Sequence, residues 1–302
     1  MSTLRIVKPK TPTALQVLVS DYLAHQRGRG LSPRTAALTA NVLQRTFLPW
    51  CSEHGFTSPD QLTQRAVDRF QGDLLERKLA RESVRTYVRT IATFVRWAGD
   101  EFGKVKLQQP KAERKVLETL SRDEIARIEN AALSERDQII IRLLADTGIR
   151  LGELLGLRRS DLIEQGRERY IKVRGKGARE RLVPLPPALF QRLRRYAARG
   201  AGERIFVTNR RSPKTGDYEP VQPRSVQNML KFTAEAAGIQ RRVHPHLFRH
   251  SFATHALRRG MNPLQLQRIL GHADLTMISS TYSHLTASDA FGALMSALTA
   301  ED

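Results

Sequence analysis

A chain of 302 residues with a formal net charge of +20 and a pI near 10.9 has room for two domains, each with its own core, and its charge favours a polyanionic partner. The single cysteine, Cys51, excludes an internal disulfide and any cysteine-rich zinc site and fits a reducing, cytoplasmic compartment. No apolar run approaches the ~20 residues of a membrane span, and the N-terminus lacks the apolar stretch of a signal peptide.

Residues 1–10 (MSTLRIVKPK) read as a flexible basic leader. A first helix is predicted over 12–27, closed by Gly28-Arg29-Gly30. Ser32-Pro33 is a cap and first-turn pair leading a second helix with Leu43, Phe47 and Trp50 on one face. Ser58-Pro59-Asp60 opens a third, running through Val67, Phe70 and Leu74. The fourth has the cleanest period, with Val84, Val88, Ile91, Val95 and Ala98 on one side and Arg81, Arg85, Arg89 and Arg96 on the other. Together these make a small four-helix domain over 11–105 with basic faces. The lysine-rich, core-poor stretch that follows carries a linker at 106–115, and a second domain is predicted over 116–302.

That domain opens with two capping-box patterns, Ser121 to Glu124 and Ser134 to Asp137. The second precedes IIIRLLADTG, apolar on most sides and therefore predicted to be central. It stops at Gly148, and Arg150 follows before a short helix, LGELLGL. Strand signals at 170–174 and 181–185 flank Gly175-Lys176-Gly177, which reads as a hairpin turn with Lys176 at its tip. A helix over 187–199, a short strand at 205–207, an Arg/Pro/Gly loop over 210–220 and a helix over 223–238 come next. Of the eight histidines, six lie between His244 and His284. His246, Arg249 and His250 share one face of a helix, with Phe248, Phe252 and His255 roughly opposite. His250 and His255 read as hydrogen-bonded core histidines, and His284 as structural. A turn at Asn262-Pro263 leads to a short apolar helix ending at Gly271, where His272 follows, and Tyr282 comes ten residues later. The tail is predicted as a helix over 288–298 with Phe291, Leu294, Met295 and Leu298 on one stripe. The fold class is mainly α with a small antiparallel β-sheet (α+β).

Both halves share the basic excess: residues 1–115 hold 20 Lys+Arg against 10 Asp+Glu, and the remainder 30 against 20, or +10 each. Of the 50 basic residues, 39 are arginine, whose planar fork matches phosphate geometry. The second domain thus assembles Arg150, Lys176, His246, Arg249, His272 and Tyr282. Covalent cleavage of a phosphodiester needs a deprotonated nucleophile, neutralised phosphoryl oxygens and a proton for the departing oxygen. Tyrosine, two arginines, histidine and lysine have the chemistry for those parts without a metal or cofactor.

The sequence resembles the tyrosine recombinase, or phage integrase, family. The matching pieces are TGIRLGELLGL around Arg150, VRGKGARERLVPL around Lys176, HPHLFRHSFATH with His246 and Arg249, LGHADL at His272 and TYSHL at Tyr282. The likeness covers 116–285 closely, and the first domain in architecture and position. Many members have nine residues from that histidine to the tyrosine, and this chain has ten. The resemblance implies a SAM-like N-terminal core-binding domain and a C-terminal catalytic domain forming a clamp on DNA. It implies that Tyr282 attacks the scissile phosphate, leaving a 3′-phosphotyrosyl link. Arg150, Arg249 and His272 would hold the phosphate, His246 would act on the tyrosine proton, Lys176 would be the general acid, and Glu153 matches a supporting acidic position. Arg81, Arg85, Arg89 and Arg96 would touch phosphates. Partners would be double-stranded DNA with specific recombination sites and a homotetramer, with accessory DNA-bending proteins left open. Alternatives are a type IB topoisomerase-like enzyme and a non-catalytic DNA-binding regulator.

Overall fold

The computed structural model describes residues 11–77, 79–102, 106–107, 110, 118–175, 180–200 and 202–271. The chain divides into two compact units, Met1–Arg114 and Lys115–Asp302. The described residues are mostly helical with small antiparallel sheets. None of the described helices is long and apolar enough to cross a membrane.

In the first unit, Thr13 caps α1 (Ala14–Gly28), and Ser32 with Pro33 starts α2 (Pro33–Val42). The predicted second helix is not uniform. It widens into a π turn over Leu43–Phe47 before continuing as α3 (Leu48–Glu53). Pro49 supplies no amide hydrogen and crowds the carbonyl four residues back, which a wider turn relieves. The face survives the change, since Leu43, Phe47 and Trp50 are all buried. The third helix also starts later than its Ser-Pro-Asp signal implies. Ser58 opens only a 3-10 turn, Pro59–Gln61; the chain bends to bury Leu62, and Thr63 caps α4 (Gln64–Glu76). In α5 (Arg81–Ala98), Val84, Val88, Ile91 and Val95 are buried together with Phe94, while Ala98 is only half-buried. Tyr22, Phe47, Phe70 and Phe94 meet across these helices in tilted and edge-on contacts.

The second unit is built around α7 (Glu135–Thr147), in which Ile139, Ile140, Ile141, Leu143 and Leu144 are all buried. A helix that is apolar on most sides must be covered on most of them, and α7 packs against α6 (Arg122–Asn130), α9 (Pro187–Arg199), α10 (Pro223–Ala236) and α11 (Pro245–Arg258). Ser121 and Glu124 form the reciprocal capping box at the head of α6. At α7 only half of the second box exists: Ser134 accepts from the Asp137 amide, whereas the Asp137 carboxylate takes Arg136 Nε at 2.9 Å. A three-stranded antiparallel sheet, β1 (Leu162–Gln165), β2 (Glu168–Arg174) and β3 (Glu180–Pro184), pairs Val173 with Arg181 and Arg174 with Glu180. The first of its strands was not predicted. The stretch predicted as a 205–207 strand and a 210–220 loop is instead a hairpin of β4 (Val207–Arg211) and β5 (Tyr218–Pro220). After α11, Asn262 caps α12 (Pro263–Leu270).

Candidate active site

The site is assembled from two helix ends, one helix face and one strand. α7 ends at Gly148, whose φ of 61° is left-handed, a conformation open to glycine at little cost. A Cβ there would sit 2.6 Å from Phe252 Cδ1 and 2.8 Å from Leu270 Cδ2, so the turn also needs glycine for space. Two residues on, Arg150 takes the N-cap position of α8 (Leu151–Leu155). Glu153 reaches back to it: Oε2 accepts the Arg150 amide at 2.9 Å and Oε1 accepts Arg150 Nη1 at 2.9 Å. Arginine has no acceptor, so this is the carboxylate half of a capping box alone.

His244 caps α11, its Nδ1 accepting from the Leu247 amide at 3.2 Å. One turn further, Arg249 points into the protein and is only 5% exposed. Its guanidinium donates from Nη1 to the Gly148 carbonyl and from Nη2 to the Leu270 carbonyl, each at 2.7 Å. Burial, then the charge of Arg150, pushes Arg249 down to about 10, which still leaves it a cation at neutral pH. His246 lies on the outer side of the same helix. Desolvation by its surroundings, then the charges of Arg249 and Arg150, lowers its imidazole below the ordinary histidine value. The neutral ring is therefore favoured, as a proton acceptor requires. His255 donates from Nε2–H to the Leu120 carbonyl at 2.7 Å, in its expected structural role.

The arginines meet at the carboxyl end of α12. The carbonyls of its last two residues and of its C-cap each accept from a different arginine: Ile269 from Arg181 Nε at 2.7 Å, Leu270 from Arg249 Nη2, and Gly271 from Arg150 Nη2 at 3.3 Å. The end of a helix leaves such carbonyls without intrahelical partners and carries partial negative charge, so it attracts cations. Gly271 closes the helix with φ 64° and ψ 47°. Three guanidiniums thus converge on one helix terminus, with one carboxylate, Glu153, between two of them.

Arg150, Glu153, His246 and Arg249 are therefore gathered in one place, although 99 residues separate Arg150 from Arg249. Lys176, His272 and Tyr282 lie outside the described residues, as does the tail helix predicted over 288–298. In the first unit, Arg89 and Arg96 are exposed on α5, Arg81 is exposed at its start, and Arg85 is half-buried and paired with Glu82 at 3.1 Å. Sequence reasoning missed Arg181. It shares the inward parity of Val183 on β3 and of Leu185 just past the strand, but apolar Leu182 in the outward phase blurs that alternation.

The Phage integrase family model matches residues 118–289, more than half of the chain. Tyrosine recombinase XerA of Thermococcus onnurineus is 30% identical over 267 residues, 87% of this chain and 89% of that one. Tyrosine recombinase XerD of Staphylococcus aureus is 27% identical over 287 residues, 91% of this chain and 96% of that one. The fold is also that of the XerH site-specific recombinase bound to its difH substrate in a pre-cleavage complex, with a TM-score of 0.73 at 17% identity, covering 95% of this chain and 97% of that one. With the family model, these relatives and the convergent arginines in agreement, the chain belongs to the phage integrase family and is a site-specific tyrosine recombinase.

Proposed function

We propose that Tyr282 is the nucleophile of this recombinase and that the groups around α12 serve it. The Tyr282 oxygen attacks the scissile phosphorus as its proton passes to His246. A 3′-phosphotyrosyl bond forms, the bond to the 5′ oxygen breaks, and Lys176 protonates that oxygen as it leaves as a hydroxyl. Arg150 and Arg249, with His272, neutralise the non-bridging oxygens as charge builds on them. Rejoining is the reverse, with a 5′-hydroxyl attacking the phosphotyrosine. The phosphate charge is met by guanidiniums, so no metal is assigned a step. The substrate is double-stranded DNA carrying specific recombination sites, acted on by four copies of the chain in a reducing, cytoplasmic compartment. The N-terminal unit contributes phosphate contacts through Arg81, Arg85, Arg89 and Arg96.

One observation supports the reading above the others. Arg150 and Arg249 share a helix terminus, Arg249 held by the Gly148 and Leu270 carbonyls and Arg150 by the Gly271 carbonyl and Glu153. Such preorganised cations stabilise developing charge without reorganising during the reaction. A nicked suicide substrate, which loses the fragment bearing the 5′-hydroxyl, tests the nucleophile. Wild-type protein is expected to accumulate a covalent protein–DNA adduct, and Tyr282→Phe to bind the same DNA without one. An adduct of ordinary yield from Tyr282→Phe would refute the assignment.

A further inference from the structure

We infer that Arg181 is a positioning residue of this active site, holding Arg150 and the end of α12 in register through Glu153. The inference rests on the strand-cleavage reading above and adds a residue to it. Arg181 sits on β3, yet its side chain is only 14% exposed, because the guanidinium turns inward beneath the site. Nη2 donates to Glu153 Oε2 at 2.8 Å and Nη1 to Glu153 Oε1 at 3.1 Å, while Nε donates to the Ile269 carbonyl at 2.7 Å. Every nitrogen of the fork is engaged by protein, which separates Arg181 from Arg150, whose side chain is 41% exposed.

Glu153 is the pivot. Its side chain is 5% exposed and lies between two guanidiniums, with Arg150 on one side and Arg181 on the other. A carboxylate held by Arg150 alone would keep two hydrogen bonds and be free to turn about them. The second, two-pronged contact from Arg181 removes that freedom and so orients Arg150. The third bond, to Ile269, ties the pair to the helix end that also receives Arg249. Lysine could offer a charge at this position but no rigid fork to bridge a carboxylate and a carbonyl. The fit extends to Gly271: a Cβ there would lie 2.8 Å from Arg181 Nη1, so the guanidinium occupies space that only glycine leaves open. Gly271 is followed directly by His272, so the anchored end is the point from which the chain runs to the next proposed site residue.

The test uses the full-length chain and the suicide substrate, reading single-turnover cleavage rate, DNA affinity and melting temperature for Arg181→Met, Arg181→Lys, Glu153→Gln and the Arg181→Met/Glu153→Gln double variant. Displacement of a reacting group by about an ångström costs on the order of 10²-fold in rate. Arg181→Met is expected to cleave ~10²-fold more slowly with unchanged DNA affinity, and Arg181→Lys to fall between it and wild type. The double variant is expected to be no slower than the slower single one, since both changes break one coupled unit. Wild-type cleavage by folded Arg181→Met overturns the inference, and so does a loss of affinity in step with rate, which would make Arg181 a phosphate contact. Additive losses in the double variant overturn the route through Glu153. If Arg181→Met does not fold, Arg181→Lys decides: slower cleavage at unchanged affinity supports the inference, and the wild-type rate overturns it. An adduct formed by Tyr282→Phe would instead strike the nucleophile assignment, with wild type as the reference for both.

Discussion

At the scale of single residues, the protonation states around α12 suit the proposed chemistry. Burial pushes the Glu153 carboxyl up, but the hydrogen bonds from Arg181, then from the Arg150 amide, together with the two arginine charges, bring it below the usual carboxylate value. A lowered acid pKa stabilises the fold above the unfolded value, and that stabilisation is lost as pH falls through the folded one. Glu153→Gln should therefore be less stable than wild type at neutral pH by about 1–3 kcal/mol, the usual cost of removing hydrogen bonds to a charged group. The gap should close as the pH drops below ~4.3, as wild-type Glu153 itself becomes protonated. Denaturant midpoints measured against pH would show this, and a gap unchanged down to strong acid would contradict it. His246 is shifted downward, first because burial penalises the charged ring and then because the Arg249 and Arg150 guanidiniums lie near it. The neutral ring is the form that the proposed acceptance of the tyrosine proton requires.

At the scale of elements, two left-handed glycines hold the site together. Gly148 turns the chain off α7 and offers its carbonyl to Arg249; Gly271 ends α12 and offers its carbonyl to Arg150. Gly148→Ala would place a methyl group against Phe252 and Leu270. Overpacking of that kind costs about 1–3 kcal/mol, and the left-handed backbone adds ~1 kcal/mol. Displacing the Gly148 carbonyl also disturbs Arg249, so cleavage should slow more than DNA binding weakens. Gly152→Ala is the matched control: it lies in α8 with nothing within 4 Å of its added Cβ, and alanine is the better helix former by roughly 0.5–1 kcal/mol. Thermal melts and single-turnover cleavage on both variants should separate them, and equal behaviour would refute the account of the α7 turn.

At the scale of the whole molecule, the charge is divided evenly between the sequence halves, +10 in each. If the arginines of α5 meet phosphates, each contact releases counterions and contributes ~0.9 to the slope of log affinity against log salt. Arg89→Ala and Arg96→Ala, both at exposed positions, should each reduce that slope by ~0.9 and weaken binding to any sequence alike. Cleavage at saturating DNA should be unchanged, because neither residue belongs to the second unit. Titrations at several salt concentrations test this, and an unaltered slope would remove these arginines from the interface.

The sequence by itself determined whatever depends on near neighbours in the chain. Ser32-Pro33 and Ser121 with Glu124 cap the helices they were predicted to cap, and Asn262, predicted only as part of a turn, caps α12, because a cap and its amides lie within a few residues. The IIIRLL segment, apolar on most sides, marked the central helix of the second unit, and the ordered motifs around Arg150, Lys176, His246 with Arg249, His272 and Tyr282 marked the family. Local signals misled where two of them competed. Ser58-Pro59-Asp60 starts only a 3-10 turn because burying Leu62 bends the chain, and Pro49 widens a helix whose apolar face ran through it unbroken. Tertiary structure alone decided the partners of the arginines. Arg249 bonds carbonyls 101 and 21 residues away, and Arg181 bonds a carboxylate 28 residues away and a carbonyl 88 away. A guanidinium satisfied by backbone carbonyls leaves no trace in composition or periodicity, since every residue supplies the same carbonyl and only the fold determines which one is within reach.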